Sequence, residues 1–448
     1  MMERENFGTK VGAILAAAGS AVGLGNIWRF PIETGRNGGA AFILIYIGCI
    51  IVLGLPVMLS EFVIGRSAHA NAAGAFKLLA PGTAWKWVGR MGVFAGMVVL
   101  SYYSVVAGWT VEYAMLALSN CFSGMTVDDY PRIFSEFSSN PWMPAIWLVF
   151  FLLLTHVVIV RGVTKGIERW SKVLMPVLFI IIALLVVCSV MLPGAGSGID
   201  FLLRPDFSKV NGDVVLNAMG QAFFSLSLGL GCLCTYASYF SDETNLPRAA
   251  TNVCTIDTLI ALMAGFIIFP AAAASGYELG PNDIGPSLIF ITLPNVFQQA
   301  FAGLPLLCYL FSVLFYLLLI LAALTSTISM HEIVTSYACE EYKMSRTKGA
   351  SVATSVCVIL GILCSLSFGP LSGVHIAGMS IFDLCDWMVS KLCMPIGAFF
   401  ISLFVGWRLD RELLRKQLSG RMSILVFMLR YVTPLAILAI FLNQFGIF

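Results

Sequence analysis

The sequence predicts an all-α polytopic membrane protein, and three observations predict it. Of 448 residues, 59% are hydrophobic and 11% charged, about half the charge of a soluble domain. Apolar stretches of the ~20 residues that cross a bilayer as helix recur along the whole chain. Basic residues, finally, fall on alternate connections between those stretches. With the N-terminus inside, 19 of the 26 Lys and Arg lie on the cytoplasmic side, including Arg66, Lys77, Lys86, Arg90 and the run from Arg408 to Arg421. Only Arg132, Arg204 and Lys209 lie in outer loops, while Arg29, Arg36, Lys391 and Arg430 lie in or beside helices. That bias orients the chain under the positive-inside rule.

Hydropathy gives about eleven spans, over residues 9–31, 39–65, 87–119, 143–160, 170–191, 214–240, 248–274, 304–338, 349–368, 376–406 and 423–444. The odd count puts Phe448 outside. The stretch from Pro286 to Gly303 is apolar but interrupted by Pro294, and reads as a re-entrant or interfacial piece on the outer side. The polar start MMERENFGTK leads into an apolar run that continues into the chain, so no cleavable signal peptide is expected. Twelve Cys scattered through apolar runs read as packing residues rather than a disulfide framework or metal site. A net charge of +2 gives no case for a nucleic-acid partner; the bilayer is the expected partner, and the sequence assigns no oligomeric state.

Spans one and six are interrupted in the same way. Residues 19–31 read GSAVGLGNIWRFP and residues 225–234 read SLSLGLGCLC. Spans one to five (1–200) and six to ten (201–407) therefore form two halves, with 408–448 adding span eleven. Because five is odd, the second half is inverted relative to the first. Inverted halves with a broken helix at matching positions are a signature of secondary transporters, whose sites lie at the breaks. The physical reason is that unwound carbonyls cost several kcal/mol each in hydrocarbon unless something binds them. A small cation satisfies carbonyls, and half-helix N-termini suit a carboxylate. Close helix packing at small residues is the structural alternative.

GSAVGLGNIWRFP, NGGAAFILIY (37–46), GQAFFSLSLGLG (220–231) and LAALTSTIS (321–329) together resemble the neurotransmitter:sodium symporter family, in its bacterial amino-acid transporters. The likeness extends from Arg4 into span eleven, and the chain stops after eleven spans where many members have twelve. It implies a leucine-transporter-like fold, a multi-pass location in the bacterial inner membrane and two sodium sites. The first would use the Ala21 carbonyl, Asn26, Ser225 and Asp257, completed by the substrate carboxylate. The second would use carbonyls of Gly19, Val22 and Ala322 with the hydroxyls of Thr325 and Ser326, the roles of Ser326 and Thr327 being exchangeable. All-oxygen ligation suits a hard cation.

Asp257, in NVCTIDTLIALMAG, has no basic residue within a helical turn, and an intramembrane carboxylate is usually functional. The resembled family commonly has Asn there, and its chloride-dependent members supply a serine one turn later, where this chain has Ala261. Asp257 is therefore expected to supply the charge that chloride supplies elsewhere, with Tyr46, Gln221 and Ser225 around it. Chloride would not be required. Proton uptake by this carboxylate when Na+ leaves is a further possibility.

The resemblance also assigns the substrate site. Tyr103 would bind the amino-acid carboxylate with the amides near Leu24 and Gly25, and the carbonyls of the unwound spans, Ala21 and Ser225 among them, would meet the amine. Val99, Phe224, Ser227, Leu230, Ser326 and Met330 would hold the side chain. All are apolar or small, which excludes an acidic or basic substrate side chain and fits a large hydrophobic or aromatic one. Arg29 and Asp386 would form the outer gate, while Arg4 would pair with Glu340 inside, with Phe7 and Tyr239 nearby. GIERWSKVLMP (166–176), with Gly and Pro weakening the helix, would unwind to release Na+ inward, or stand as a fixed kink. Glu61 and Glu112 are expected to bind backbone near helix ends, and Arg430 to snorkel to the cytoplasmic face. His69, His156, His331 and His375 lack metal spacing.

No nucleophile–base pair, HExxH or P-loop appears, so an enzyme is not expected. Pore-lining charge rings of a channel are absent too. The alternative function is a proton-coupled amino-acid permease of similar architecture. That class would carry a buried cation on span five, and positions 173–191 contain no Lys or Arg.

Overall fold

The computed structural model describes residues 5–277, 285–418 and 422–444. Among these, nine helices are long and apolar enough to cross a membrane, and the pair Lys10–Ala21 and Gly25–Arg36, bent by 55°, makes a tenth. The segment expected at 214–240 is split into Gly212–Ser225 and Cys232–Ala237. Each expected span thus has a helical counterpart. The boundaries differ most at the fifth span, expected over 170–191 and helical over Val163–Val190, and at the first, whose second half runs on to Arg36.

The short helices collect in the connections. Asp129–Ser139, Gly196–Leu203 and Leu293–Ala300 lie at one end of the bundle. Ala72–Leu79 and Arg411–Leu418 lie at the other. Leu288 to Phe297 is almost entirely buried, as a re-entrant piece requires. It contributes Phe290 to an aromatic cluster with Trp109, Tyr113 and Phe134.

The two interruptions sit at the centre. The first helix ends where Val22 turns extended (φ −67°, ψ 118°), and the chain resumes with one wide turn in which Phe30 N–H bonds Gly25 O. In the second, Ser227, Gly229 and Gly231 take φ of 52°, 84° and 81°. Glu61, fully buried, accepts from Gly229 N at 2.8 Å and Cys234 N at 3.3 Å. One carboxylate therefore satisfies main chain within that break and in the first turn of the helix that follows it. Glu112 departs from expectation: it accepts from the Trp147 indole at 2.6 Å rather than from backbone. Arg430 has two partners at the end of the tenth span. Its guanidinium stacks 4.9 Å over Trp407 and donates to Gly406 O.

Candidate functional site

Three polar side chains from three spans meet beside the first break. Asn26, Ser225 and Asp257 are each at most 2% exposed. Asn26 Nδ2 donates to Asp257 Oδ1 at 2.7 Å and to Ser225 Oγ at 3.1 Å, while its Oδ1 accepts from Gly23 N at 2.9 Å. Ser225 Oγ donates to Asp257 Oδ2 at 2.7 Å, and Tyr46 Oη reaches Ser225 Oγ at 3.2 Å. Hydrogen bonds from neutral groups leave the carboxylate charge uncompensated, and no ion pair among the described residues involves Asp257. A buried unpaired charge is costly, a cost that a cation bound beside it would offset. One turn before Ser225, Gln221 is 1% exposed with neither amide atom hydrogen-bonded.

A second oxygen cluster lies across the same break. Thr325 Oγ1 is 3.0 Å from Ala322 O and 3.4 Å from Val22 O, and Ser326 Oγ is 2.9 Å from Val22 O. Gly19 lies beside it: a Cβ there would stand 3.2 Å from Thr325 Cβ and 3.4 Å from Met175 Sδ. Thr327 points elsewhere. Its hydroxyl bonds Thr155 Oγ1 at 2.9 Å on the fourth span, so Ser326 is the residue that faces the break. Oxygens of Val22, Ala322, Thr325 and Ser326 thus converge, with the Gly19 main chain packed against Thr325.

Between the breaks opens a cavity of about 310 Å³. Ala21, Gly25, Val99, Tyr103, Phe224, Ser225, Ser227, Leu230, Ser326 and Met330 all line it. Leu24 contributes through its main chain, its N–H donating to Tyr103 Oη at 2.9 Å. Trp28, Val106, Tyr102, Phe382 and Met394 also line the wall, and the sequence reading missed them. It missed charges as well: Glu33, Arg36 and Lys391 join Arg29 and Asp386 around the same space. Positions 29, 33 and 36 repeat at helical spacing on one face, a signal that was there to be read. They recede from the break by ~1.5 Å per residue, so these charges belong to the approach rather than to the pocket floor.

Arg29 and Asp386 are not in direct contact. The Arg29 guanidinium lies 4.1 Å over the Phe224 ring, where a cation is attracted to the π face. At the opposite end Arg4 lies outside the described residues. The Glu340 carboxylate accepts from Asn71 N at 2.8 Å and Nδ2 at 2.9 Å. Tyr239 Oη donates to Glu332 Oε1 at 2.6 Å, and Arg346 Nη2 pairs with Glu332 Oε2 at 2.6 Å. Phe7 packs edge-on against Tyr239 at 6.0 Å, as expected. The Glu332–Arg346 pair was not foreseen, although a glutamate inside an apolar helix is itself a flag. Residues 166–176 are helical, within a continuous Val163–Val190. His156 and His331 share the Thr354 hydroxyl at 2.9 and 2.8 Å, and no group of three metal ligands occurs among the described residues.

The model of the sodium:neurotransmitter symporter family matches residues 4–128 and 136–447. The chain belongs to this family. Among its relatives, a Bacillus subtilis protein described as the uncharacterized sodium-dependent transporter YhdH is 41% identical over 446 residues, covering 98% of this chain and 97% of the relative. An uncharacterized sodium-dependent transporter of Haemophilus influenzae is 34% identical, covering 99% and 98%. The crystal structure of MhsT in complex with L-phenylalanine superposes with a TM-score of 0.89 at 40% identity, covering 98% of this chain and 100% of that one. The family is one of sodium-dependent transporters. Membership and the close structural match together make this a multi-pass membrane transporter with the 5+5 inverted-repeat fold, discontinuous in its first and sixth helices.

Proposed function

We propose that this protein is a sodium-coupled symporter of a hydrophobic or aromatic L-amino acid, independent of chloride and working by alternating access in the bacterial inner membrane. One observation carries the reading: the buried Asp257 carboxylate, held by Asn26 and Ser225 with no cationic partner, beside an interrupted helix. Na+ is co-substrate here. Ala21, Asn26, Ser225 and Asp257 would ligate one ion, whose charge Asp257 balances without an anion. Gly19, Val22, Ala322, Thr325 and Ser326 would ligate the second.

The substrate carboxylate would complete the first ion's shell and take the Leu24 and Gly25 amides with Tyr103, whose hydroxyl already meets Leu24 N–H. Its amine would meet main-chain carbonyls bared by the breaks. Val99, Leu230 and Met330 would hold the side chain, and Met330 can repack around several shapes. MhsT, solved with L-phenylalanine, supports a substrate of this kind. Binding all three species at once satisfies the groups that each break leaves bare, so none binds well alone. That interdependence is the coupling.

With the N-terminus cytoplasmic, the end bearing Asp129–Ser139 faces outward. Arg29 and Asp386 then guard entry, while Arg4, Glu340 and Tyr239 guard exit. The halves 1–200 and 201–407 would rock about the site, with 408–448 outside the repeat. Unwinding across 166–176 would admit water to the second ion and release it inward. The test is uptake into proteoliposomes across all twenty amino acids under an imposed Na+ gradient, with chloride or gluconate as the anion. Uptake of hydrophobic amino acids that needs Na+ and ignores the anion is expected. Uptake driven equally in potassium would overturn the coupling, and loss in gluconate would overturn the role given to Asp257.

A further inference from the structure

Two carboxylates at the end of the bundle that carries the N-terminus are arranged reciprocally. Glu168, on the first turns of Val163–Val190, is 2% exposed. Its Oε2 accepts from Gly8 N at 2.6 Å and its Oε1 from Thr9 Oγ1 at 2.7 Å and Lys172 Nζ at 2.5 Å. Thr9 is the N-cap of Lys10–Ala21, and its oxygen accepts from Gly12 N. Glu168 therefore closes the start of the first helix, where the dipole and unsatisfied N–H groups favour negative charge. The approach leaves no room for a side chain, since a Cβ on Gly12 would stand 2.3 Å from Glu168 Oε1.

Glu5 returns the arrangement. Its Oε2 accepts from Val163 N at 2.6 Å, the first amide of span five, and Thr164 Oγ1 donates to Asn6 O at 3.1 Å. Gly162 turns the chain into that helix at φ +89°, and a Cβ there would stand 2.9 Å from the same carboxylate. Each helix is thus capped by a glutamate belonging to the other strand of the pair.

These two helices also flank the second oxygen cluster, Gly19 and Val22 from one and Met175 from the other. We propose that Glu168 and Glu5 are positioning residues for ion release: a clasp that makes displacement of the first half-helix and opening of span five a single event. Loss of either carboxylate uncaps one helix directly and, because the capping strand is then free, the other as well. The clasp reaches the second cluster through Met175, which follows span five when the clasp opens. The inference rests on the proposed sodium-coupled transport.

The test is hydrogen exchange of the full-length protein, read on 9–13 and 163–168, for Glu168→Gln, Glu5→Gln and Gly12→Ala. Exchange follows local opening, and charge-assisted hydrogen bonds of this kind hold such openings down by about tenfold or more. We expect exchange to rise at least about tenfold in both segments for each variant, while Pro305–Glu341 keeps its protection. Na+ should slow exchange in both segments of the unaltered protein, and in neither segment of Glu168→Gln. A rise confined to the segment that lost its own cap would overturn the clasp, as would no rise at all. Should Glu168→Gln not fold, Glu5→Gln alters an exposed side chain and carries the same two-segment criterion. Na+-dependent uptake of hydrophobic and aromatic amino acids by the unaltered protein is measured alongside. Absence of Na+-dependent uptake of every hydrophobic and aromatic amino acid would refute the transport reading, whereas the two-segment response judges the clasp without any substrate.

Discussion

At 23–25 and again at 229–231 the chain spells Gly-Leu-Gly, yet the two breaks use their glycines differently. In the second, Gly229 and Gly231 take φ of +84° and +81°, a region that L side chains enter at a cost of roughly 1–2 kcal/mol. Span ten also lies against it main chain to main chain: a Cβ on Gly229 would stand 2.3 Å from Met394 O, and one on Gly397 2.3 Å from Gly229 O. The first break has no left-handed residue. Leu24 is in the ordinary right-handed region, and the glycines there serve as space. A Cβ on Gly23 would stand 2.6 Å from Ser326 Oγ and 2.9 Å from Tyr103 Oη; one on Gly25 would stand 2.7 Å from Phe224 Cε1. One break is shaped by torsion and scaffold contact. The other is shaped by what must come close to it, and those neighbours are the residues assigned to ion and substrate. Identical motifs can therefore answer different physical demands.

The largest effect should come from Gly229→Ala, which meets both the torsional cost and an immovable carbonyl. We expect a loss of about 2–4 kcal/mol of stability, read as a lower unfolding temperature in detergent. Gly23→Ala sharpens the contrast, since it should keep the unfolding temperature but displace the Ser326 and Tyr103 hydroxyls, weakening Na+-dependent substrate binding about tenfold or more. Equal thermal losses in the two variants would erase the distinction drawn between the breaks.

Next in size is Asp257→Asn, which removes the charge beside the first break and keeps the shape. Losing a charged partner worth about 1.5–3 kcal/mol should raise the half-saturating Na+ concentration by roughly 10–100-fold. An unchanged Na+ titration would mean that this carboxylate does not face the ion. Ser326→Ala, across the same break, removes one neutral hydroxyl. Its expected effect is about 1 kcal/mol, or roughly fivefold in Na+ dependence, and a larger loss than for Asp257→Asn would reverse the ranking of the two clusters.

The leucines of the two motifs differ in selectivity rather than in Na+ dependence. Leu230 lines the cavity, so Leu230→Ala should shift the preference between small and large hydrophobic amino acids by about 1–3 kcal/mol. Competition uptake reads this directly. Leu24 is fully buried and presents only its main chain to the cavity's Tyr103, so Leu24→Met should leave the preference where it was.

Much of the site was legible because its chemistry is local. A glycine pair inside an apolar run and an aspartate with no basic residue within a turn announce themselves by violating what hydrocarbon tolerates, whereas TSTIS was assigned through the family resemblance. The residues that were missed follow the opposite pattern. Val106 and Met394 are ordinary apolar side chains, and nothing but packing turns them toward the cavity. Glu332 and Arg346 stand on different spans with Tyr239 on a third, and their pairing depends on how helix ends meet. Thr327 sits next to Ser326 in TSTIS, and only the facing helix decides which hydroxyl looks at the break.

By itself the sequence determined that this chain crosses a bilayer many times, where its two helices break and which polar atoms those breaks leave bare. Hydrocarbon penalises every unsatisfied polar group, so hydropathy and its local exceptions are written residue by residue. Tertiary structure alone decided how Asn26 and Ser225 divide the two oxygens of Asp257 between them, that Met175 closes over Gly19, and that Glu168 and Glu5 cap each other's helices. Those contacts join residues up to 231 positions apart, and their geometry is set by the docking of whole helices rather than by any local pattern.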